Sequence, residues 1–167
     1  MSTDWYTPAK YIEAARLVMG TIDLDPASCA FANQVVQAKQ YFDAQTDGFV
    51  SLWYGCVWLN PPYGRTAGKN NQAVWTAKLV EEYDSGRVTQ AITLCDARTD
   101  TRWFHALFAR FSICFFKGRI NFYTLPVATS NTHTHGSVFI YLGPNEQRFA
   151  DVFGQFGRVI APPKPPP

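Results

Sequence analysis

The chain has 167 residues, of which 47% are hydrophobic and 16% aromatic, and its formal net charge is +2. This length suits one domain with a substantial core, and the composition excludes a disordered chain. The near-neutral charge neither requires nor excludes a nucleic-acid ligand, because a local basic face is enough to bind one. The 4 cysteines lie far apart without a CxxC pair, which is typical of reduced core thiols rather than a disulfide framework or a zinc site.

The N-terminal segment has neither a charged n-region nor an apolar h-region, so no signal peptide is predicted. No apolar run reaches the roughly 20 residues that a helix needs to span a bilayer. We therefore expect a soluble, cytoplasmic protein without membrane contact.

The first predicted element is a helix over residues 8–20, with Thr7 as its N-cap, Pro8 in its first turn and Gly20 at its end. Its inward face at helical spacing consists of Ile12, Ala15, Val18 and Met19. The next predicted elements are a strand over 21–26, a helical turn over 28–33, an extended segment over 35–41 and a buried strand over 55–60.

A second amphipathic helix is predicted over residues 70–86, ending at Gly86. Its expected inward residues are Val74, Ala77, Leu79 or Val80, and Tyr83. The elements that follow are a strand over 87–96, a helix over 99–110 capped by Thr99 or Asp100, strands over 111–122 and 136–143, and a helix over 145–156.

Strands and helices alternate along most of the chain, which predicts an α/β sheet covered on both faces. The last two predicted strands are joined by a polar loop without a helix, so we expect that pair to be antiparallel. A single domain is predicted over residues 1–160. The proline-rich segment 161–167 is predicted to be disordered, because it cannot supply the hydrogen bonds of a helix or sheet.

The decapeptide C-V-W-L-N-P-P-Y-G-R, at positions 56–65, ends a buried strand in a rigid polar segment. In open α/β sheets ligands bind beyond the carboxyl ends of the strands, where Asn60 would lie. Pro61 and Pro62 fix the backbone and remove two N–H donors, which leaves carbonyls free to accept. With Tyr63 as a stacking surface, these four residues predict a socket for a planar amine.

Such a socket suits methylation of an exocyclic or amide nitrogen. The lone pair of adenine N6 is delocalised into the ring, which makes this nitrogen a poor nucleophile. Acceptors for both of its hydrogens would draw it towards tetrahedral geometry and localise the lone pair for in-line attack on a sulfonium methyl. This is catalysis by positioning and electrostatic stabilisation, without a covalent enzyme intermediate.

N-P-P-Y is the catalytic motif of amino-methyltransferases that act on adenine N6, guanine N2 or protein glutamine. More of the chain, in the expected order, resembles the Dam-type DNA N6-adenine methyltransferases carried by phages and prophages. The matching segments are D-W-Y-T-P (4–8), I-D-L-D-P-A-S (22–28), Ala32-Asn33, T-D-G-F (46–49), W-L-N-P-P-Y-G (58–64), D-A-R-T-D-T-R-W-F (96–104) and G-R-I-N-F (118–122).

The resemblance implies S-adenosylmethionine (SAM) as methyl donor and a Rossmann-like class I methyltransferase sheet with an antiparallel C-terminal hairpin. We expect a trimmed sheet, because little chain separates residues 22–28 from 58–64. The D-P-A-S turn also departs from the glycine-rich donor-binding turn that is usual in methyltransferases. The implied cofactor-binding residues are Asp4, Trp5, Tyr6, Thr7, Pro8, Asp23, Asp25, Pro26, Ala27, Ser28 and Asp47.

The resemblance further implies that the target adenine is flipped out of duplex DNA and stacked on Tyr63, where Asn60 and the Pro61 carbonyl accept from its amino group. Residues 64–72 and 124–136 are candidate recognition loops. Basic side chains near the active-site edge are candidates for contacts with DNA phosphates. They are Arg65, Lys69, Arg98, Arg102, Lys117 and Arg119.

Two alternatives remain open. The same motif serves RNA and protein glutamine, and a nucleic-acid-binding remnant without catalysis would fit the altered D-P-A-S turn. His133 and His135 have no carboxylate or cysteine at ligand spacing, so no metal is predicted. The resemblance implies a phage- or prophage-encoded protein acting in the cytoplasm of a bacterial host, and no oligomeric state is predicted.

Overall fold

The computed structural model describes residues 5–123 and 134–163. Within these ranges the helices are α1 (Ala9–Met19), α2 (Ala30–Val36), α3 (Asn71–Asp84), α4 (Arg102–Phe108) and α5 (Glu146–Phe153). The strands are β1 (Leu24–Asp25), β2 (Gln40–Tyr41), β3 (Gly55–Leu59), β4 (Arg65–Thr66), β5 (Lys69–Asn70), β6 (Val88–Asp96), β7 (Ser112–Phe116), β8 (Ser137–Leu142) and β9 (Gly157–Ile160).

Seven of these strands form one sheet in the order β2-β1-β3-β6-β8-β7-β9, and β4 pairs with β5 in a separate hairpin. Strands β2, β1, β3 and β6 are parallel to one another. Strand β8 runs antiparallel to both β6 and β7, and β9 is antiparallel to β7. The antiparallel β7–β8 pair confirms the predicted hairpin, whereas β9 was not predicted.

The side chains of β3 alternate between two cores, so the sheet is covered on both faces as predicted. Cys56 and Trp58 belong to a cluster that includes residues of α1, α2 and α5. Val57 and Leu59 belong to a second cluster that includes residues of α3 and α4. A strand buried on both faces reads as a continuous apolar run, which is why β3 was evident from the sequence.

The path of the chain through the sheet creates a crevice. After β1 the chain forms β2 on one side of it, then crosses back to form β3 on the other side. Ligands in open α/β sheets bind at such a switch point, outside the carboxyl ends of the strands. Asp25 ends β1 and Asn60 follows β3, so both residues are brought to this crevice.

Helix α1 begins one residue later than the sequence indicated, because Pro8 rather than Thr7 occupies the N-cap position. The Thr7 hydroxyl does not cap the helix but accepts a hydrogen bond from Asn60 Nδ2 at 3.3 Å. Gly20 ends the helix with a φ of 84°, as expected of a glycine terminator. All four predicted inward residues of α1 are buried.

The extended segment predicted over 35–41 is wrong in its first half, since α2 continues to Val36 and Gln37 closes it in the left-handed region, with a φ of 50°. The Asn33 side chain explains this helix end. Its Oδ1 accepts from the Ala38 N–H at 2.9 Å, and its Nδ2 donates to the Ala38 carbonyl. These bonds fix the chain as it leaves the helix, and β2 begins only at residue 40.

Helix α3 buries a partly polar face, whereas Ala77, one of its predicted inward residues, is exposed. Glu82 is buried and pairs with Lys78 at 2.8 Å and Arg87 at 2.6 Å. The prediction from apolar spacing placed the buried face of α3 wrongly, because polar side chains that are paired within the fold can also be buried. The buried residues of α3 are Asn71, Gln72, Thr76, Leu79 and Glu82.

Two predicted boundaries near the later helices also change. Helix α4 has Thr101 as its N-cap, not Thr99 or Asp100, because the Asp100 carboxylate pairs with Arg98. Helix α5 ends at Phe153 rather than near residue 156, since the chain turns there to form β9.

Among the described residues, no helix combines the length and apolar character needed to cross a bilayer. The division into a domain over 1–160 and a disordered tail over 161–167 stays a prediction.

Candidate active site

A cavity of about 910 Å³ lies at the crevice between β1 and β3. Its volume is in the range of small-molecule sites, which is roughly 300–1,000 Å³. It is lined by residues 5–7 before α1, by 25–29 after β1, by the loop after β2, by 60–66 after β3 and by two residues of α3. The switch point of the sheet is therefore an open pocket large enough for a cofactor.

Asn60 lines this cavity with its side-chain amide held in one orientation. Its Nδ2 donates to the Trp5 carbonyl at 2.7 Å and to Thr7 Oγ1 at 3.3 Å. Because a carbonyl can only accept, the atom facing Trp5 must be the amide nitrogen. The Asn60 Oδ1 is buried and has no hydrogen-bond partner among the described residues. A buried acceptor left in this state costs about 1–3 kcal/mol and needs an explanation.

The residues after Asn60 continue along the cavity wall. Pro61 is buried and Pro62 is exposed, while the Tyr63 ring meets Phe122 edge to face, with centroids 6.3 Å apart. Burial, reinforced by the nearby Asp96 and Cys95, raises the pKa of Tyr63 well above its usual value. The Tyr63 phenol therefore stays neutral at physiological pH.

The start of α3 supports the N-P-P-Y segment. Asn71 donates its side-chain amide to the Tyr63 carbonyl at 3.3 Å and its backbone N–H to the Gly64 carbonyl at 3.0 Å. Gln72 forms a reciprocal pair with Asp96, donating to its carboxylate and accepting from its N–H, both at 2.7 Å. These contacts join the first turn of α3 to the ends of β3 and β6.

Asp25 is a buried carboxyl at the carboxyl end of β1, within the cavity wall. Burial raises the pKa of Asp25 to about 7, although the nearby Ser28 side chain and the Ala27 N–H oppose the rise. The Ala27 N–H lies 3.4 Å from Asp25 Oδ1. A carboxyl in this state gains from a ligand that brings a positive charge or hydrogen-bond donors.

The loop after β2 supplies two more carboxylates to the wall, Asp43 and Asp47. Asp43 Oδ1 accepts from the N–H groups of Gln45 and Thr46, both at 3.0 Å, and these bonds lower the pKa of Asp43. Asp47 has a φ of 44° and accepts from the Phe49 N–H. Sequence reasoning missed Asp43, although an acidic residue just after the strand beside β1 was a usable signal.

The same loop packs tightly onto the D-P-A-S turn through Gly48. A Cβ atom at position 48 would lie 1.9 Å from the Pro26 carbonyl oxygen, so only glycine fits there. The Gly48 carbonyl accepts from the buried Trp53 indole at 2.7 Å. The glycine that allows close backbone approach thus lies in the opposite loop and not in the turn after β1.

The structure brings most of the predicted cofactor residues together. Those that line the cavity are Trp5, Tyr6, Thr7, Asp25, Pro26, Ala27, Ser28 and Asp47. Pro8 and Asp23 lie outside it: Pro8 begins α1, and the Asp23 carboxylate binds Lys39 at 2.7 Å and the Cys56 N–H at 2.8 Å. Asp4 lies outside the described residues.

The predicted basic residues follow the carboxyl ends of β3, β6 and β7. These strands run in the same direction, so their ends meet at the edge of the sheet that holds the cavity. Arg98 pairs with Asp100 at 3.2 Å and is half-buried. The remaining five are exposed: Arg65, Lys69, Arg102, Lys117 and Arg119.

The structure shows no metal centre within the residues that it describes, where no group of three or more His, Cys, Asp or Glu side chains could hold an ion. His135 is exposed, and His133 lies outside the described residues.

The parallel strands β2, β1, β3 and β6, the antiparallel strands that follow them, and N-P-P-Y over a cavity at the switch point define a trimmed Rossmann-like methyltransferase fold. The chain belongs to the DNA N-6-adenine-methyltransferase (Dam) family, whose model matches residues 2–148. No curated protein and no solved structure gives a significant match. Membership confirms the family resemblance and indicates DNA adenine-N6 methyltransferase activity.

Proposed function

We propose that the protein transfers the methyl group of SAM to the N6 amino group of an adenine in DNA, with Asn60 as the residue that activates the nitrogen. The observation that carries this proposal is the buried Asn60 Oδ1 at the cavity wall, which has no hydrogen-bond partner in residues 5–123 or 134–163. The amide nitrogen of the same side chain is already engaged with Trp5 and Thr7, so the oxygen is presented as a fixed acceptor.

A second acceptor is the Pro61 carbonyl, next in the chain and held rigid by two successive proline rings. An amino group offers two hydrogens, and two acceptors in fixed positions orient its lone pair away from the adenine ring plane. Because both acceptors are in place before the base arrives, no reorganisation is needed at the moment of reaction. The amide and the carbonyl thus convert a conjugated amine into a nucleophile.

The adenine must leave the duplex to reach these acceptors, because a stacked base cannot enter a cavity within the enzyme. Tyr63 supplies an aromatic surface for the extruded base and is itself supported by Phe122 and Asn71. Its neutral, buried phenol suits an apolar stacking role. Stacking on an aromatic side chain stabilises an unstacked base by about 1–3 kcal/mol.

The cavity residues fit SAM, which supplies an electrophilic sulfonium methyl group when bound. Asp25 offers a buried carboxyl for the amino group or the ribose hydroxyls, and Asp43 and Asp47 offer further acceptors on the opposite loop. Segment 5–7 would line the binding site of SAM and at the same time hold Asn60. The site for the methyl donor and the site for the adenine therefore share this segment.

The experiment that tests the proposal compares Asn60→Ala with Asn60→Asp, using labelled SAM and duplex DNA, followed by digestion of the product to nucleosides. Asn60→Ala removes the acceptor and should lower kcat by about 100-fold or more, as loss of a pre-organised transition-state contact does. Asn60→Asp keeps an acceptor oxygen but loses the bond to Trp5. Its kcat should therefore lie between those of the wild-type protein and Asn60→Ala.

SAM binding, measured by calorimetry, should be nearly equal in the wild-type protein and Asn60→Ala. Transfer of label to DNA by Asn60→Ala at the wild-type rate would contradict the mechanism. In parallel reactions with RNA or with protein, label in a ribonucleoside or in glutamine but none in the N6-methyladenine of DNA would contradict the substrate.

A further inference from the structure

The segment that follows N-P-P-Y is a two-stranded hairpin rather than an irregular loop. Strands β4 and β5 pair with Arg65 opposite Asn70 and Thr66 opposite Lys69. The connecting residues Ala67 and Gly68 have φ values of 49° and 76°, and positive φ at both positions is what a tight hairpin turn requires. Alanine is an unusual residue in this conformation, and a strained backbone at an exposed tip favours a functional role.

The hairpin is anchored through one of its two faces. Asn70 caps α3 by accepting from the Ala73 N–H at 3.0 Å, and the Arg65 guanidinium folds back onto the Gly68 carbonyl at 2.7 Å. Directly opposed residues of an antiparallel pair point to the same face, so Thr66 and Lys69 share the other one. Neither of these two side chains forms a hydrogen bond or ion pair within 5–123 and 134–163.

The hairpin also forms part of the cavity wall, because Arg65 and Thr66 line the pocket that contains Asn60. Residues 65–69 are all exposed. The hairpin is therefore placed to contact DNA that delivers a base to Asn60. The major groove of B-DNA, about 12 Å wide, admits a two-stranded β-ribbon and carries a distinct donor and acceptor pattern for each base pair, which the minor groove does not.

We infer that Thr66 and Lys69 read the base pair beside the flipped adenine through the major groove, a role that rests on the proposed function. A lysine ammonium donates to the O6 and N7 acceptors of guanine, and the threonine hydroxyl bonds to a base edge of the same pair. Thr66 and Lys69 thus determine sequence specificity separately from the chemistry at Asn60. Lys117, which follows β7, serves as the contrasting case of a phosphate contact that carries no sequence information.

The test is a methylation profile on duplex DNA with one adenine at a fixed position and randomised flanking bases, read by sequencing. Lys69→Ala and Thr66→Ala should flatten the preference at one flanking position, by roughly tenfold for the lysine. Lys69→Arg should keep a preference for guanine there, because arginine binds the same acceptors. Lys117→Ala should lower methylation evenly across all sequences, as loss of a phosphate contact does.

A profile of Lys69→Ala that matches the wild-type profile, whether the overall rate falls or not, would overturn this inference alone. A wild-type enzyme that methylates every flanking sequence equally would do the same. Absence of adenine methylation by the wild-type protein would instead overturn the proposed function. Equal SAM binding by the wild-type protein and the Lys69 and Lys117 variants, whose side chains do not line the cavity, checks that these substitutions leave the fold intact.

Discussion

At the scale of single residues, Asp25 combines burial with a proposed role in cofactor binding that requires charge. Its carboxyl is almost fully enclosed, and burial raises its pKa from the usual 3.8 to about 7. In the absence of a ligand the proton is bound more tightly in the folded chain than in the unfolded one. Ionised Asp25 is therefore destabilising, and a cationic or donor-rich ligand would relieve this cost.

The raised pKa of Asp25 determines how the free energy of unfolding depends on pH. The stabilising effect of protonated Asp25 is complete below pH 3.8 and is lost as the pH rises through about 7. The contribution lost across this interval is on the order of 4 kcal/mol, at about 1.4 kcal/mol for each pH unit. Asp25→Asn should remove this decline, which denaturant titrations at several pH values would measure.

Asp25 should give SAM affinity a pH dependence opposite in sign to that of the free energy of unfolding. The affinity should rise with pH through about 7, since the ionised carboxylate is the better partner for the donor's amino group. Calorimetric titrations of Asp25→Asn should show weak binding that varies little with pH. An unchanged pH profile in Asp25→Asn would remove Asp25 from the proposed cofactor set.

The placement of the candidate site residues was predicted from the sequence to unequal degrees. Asn60 and its neighbours were evident, because a polar, proline-rich segment ends an apolar strand and its place beyond the carboxyl end follows from α/β geometry. The hydrogen bond between Asn60 and Trp5 could not be predicted, because it joins residues 55 positions apart. Asp43 was missed for a related reason, since its place at the cavity depends on β2 pairing beside β1.

At the scale of elements, the sequence predicted the long buried strands and missed the short exposed ones. Strands β3 and β6 read as apolar runs. The hairpin β4–β5 has no apolar period, because both strands are exposed or nearly so. Helix α3 was placed correctly along the chain but its buried face was misjudged, since paired polar side chains at Gln72 and Glu82 take core positions.

The contact between the loop after β2 and the D-P-A-S turn gives an element-scale prediction. Gly48→Ala forces a methyl group into the Pro26 carbonyl oxygen, which would be only 1.9 Å away, so the loop must move off the turn. Overpacking of this kind typically costs about 1–3 kcal/mol. We expect a lower free energy of unfolding and weaker SAM binding, measured by denaturant titration and calorimetry.

Gly136→Ala is the matched control, because a Cβ atom at position 136 would meet its nearest neighbours at an ordinary 3.6 Å. It should bind SAM as the wild-type protein does. Equal SAM affinities for Gly48→Ala and Gly136→Ala would show that the loop does not hold the turn in a binding-competent form.

At the scale of the whole molecule, the sheet retains the crevice at the switch point even though its first half is short. Strands β1 and β2 have two residues each, and β2 is the edge strand. The trimmed sheet was predicted from the short distance between the first strand and N-P-P-Y, and the fold class is confirmed. The added strand β9, after α5, extends the opposite edge and had no clear apolar pattern.

A thermal-shift measurement separates an enzyme from a non-catalytic remnant at this scale. SAM at 100 times its Kd should stabilise the folded chain by about 2.7 kcal/mol, which for a protein of this size raises Tm by roughly 5–11 °C. Asn60→Ala should keep this shift, because Asn60 is assigned to the base rather than to the donor. A wild-type protein whose Tm does not respond to SAM would favour the remnant.

The hydrogen bond from Asn60 to Trp5 also bears on the order in which the protein matures. Residues 5 and 6 are tied at one end to Asn60 and at the other to Tyr123, through paired backbone hydrogen bonds between Tyr6 and Tyr123. Residues 5 and 6 are thus held in place by residues that are made later in synthesis. The segment that orients the Asn60 amide can therefore be fixed at both ends only after residue 123 has been synthesised.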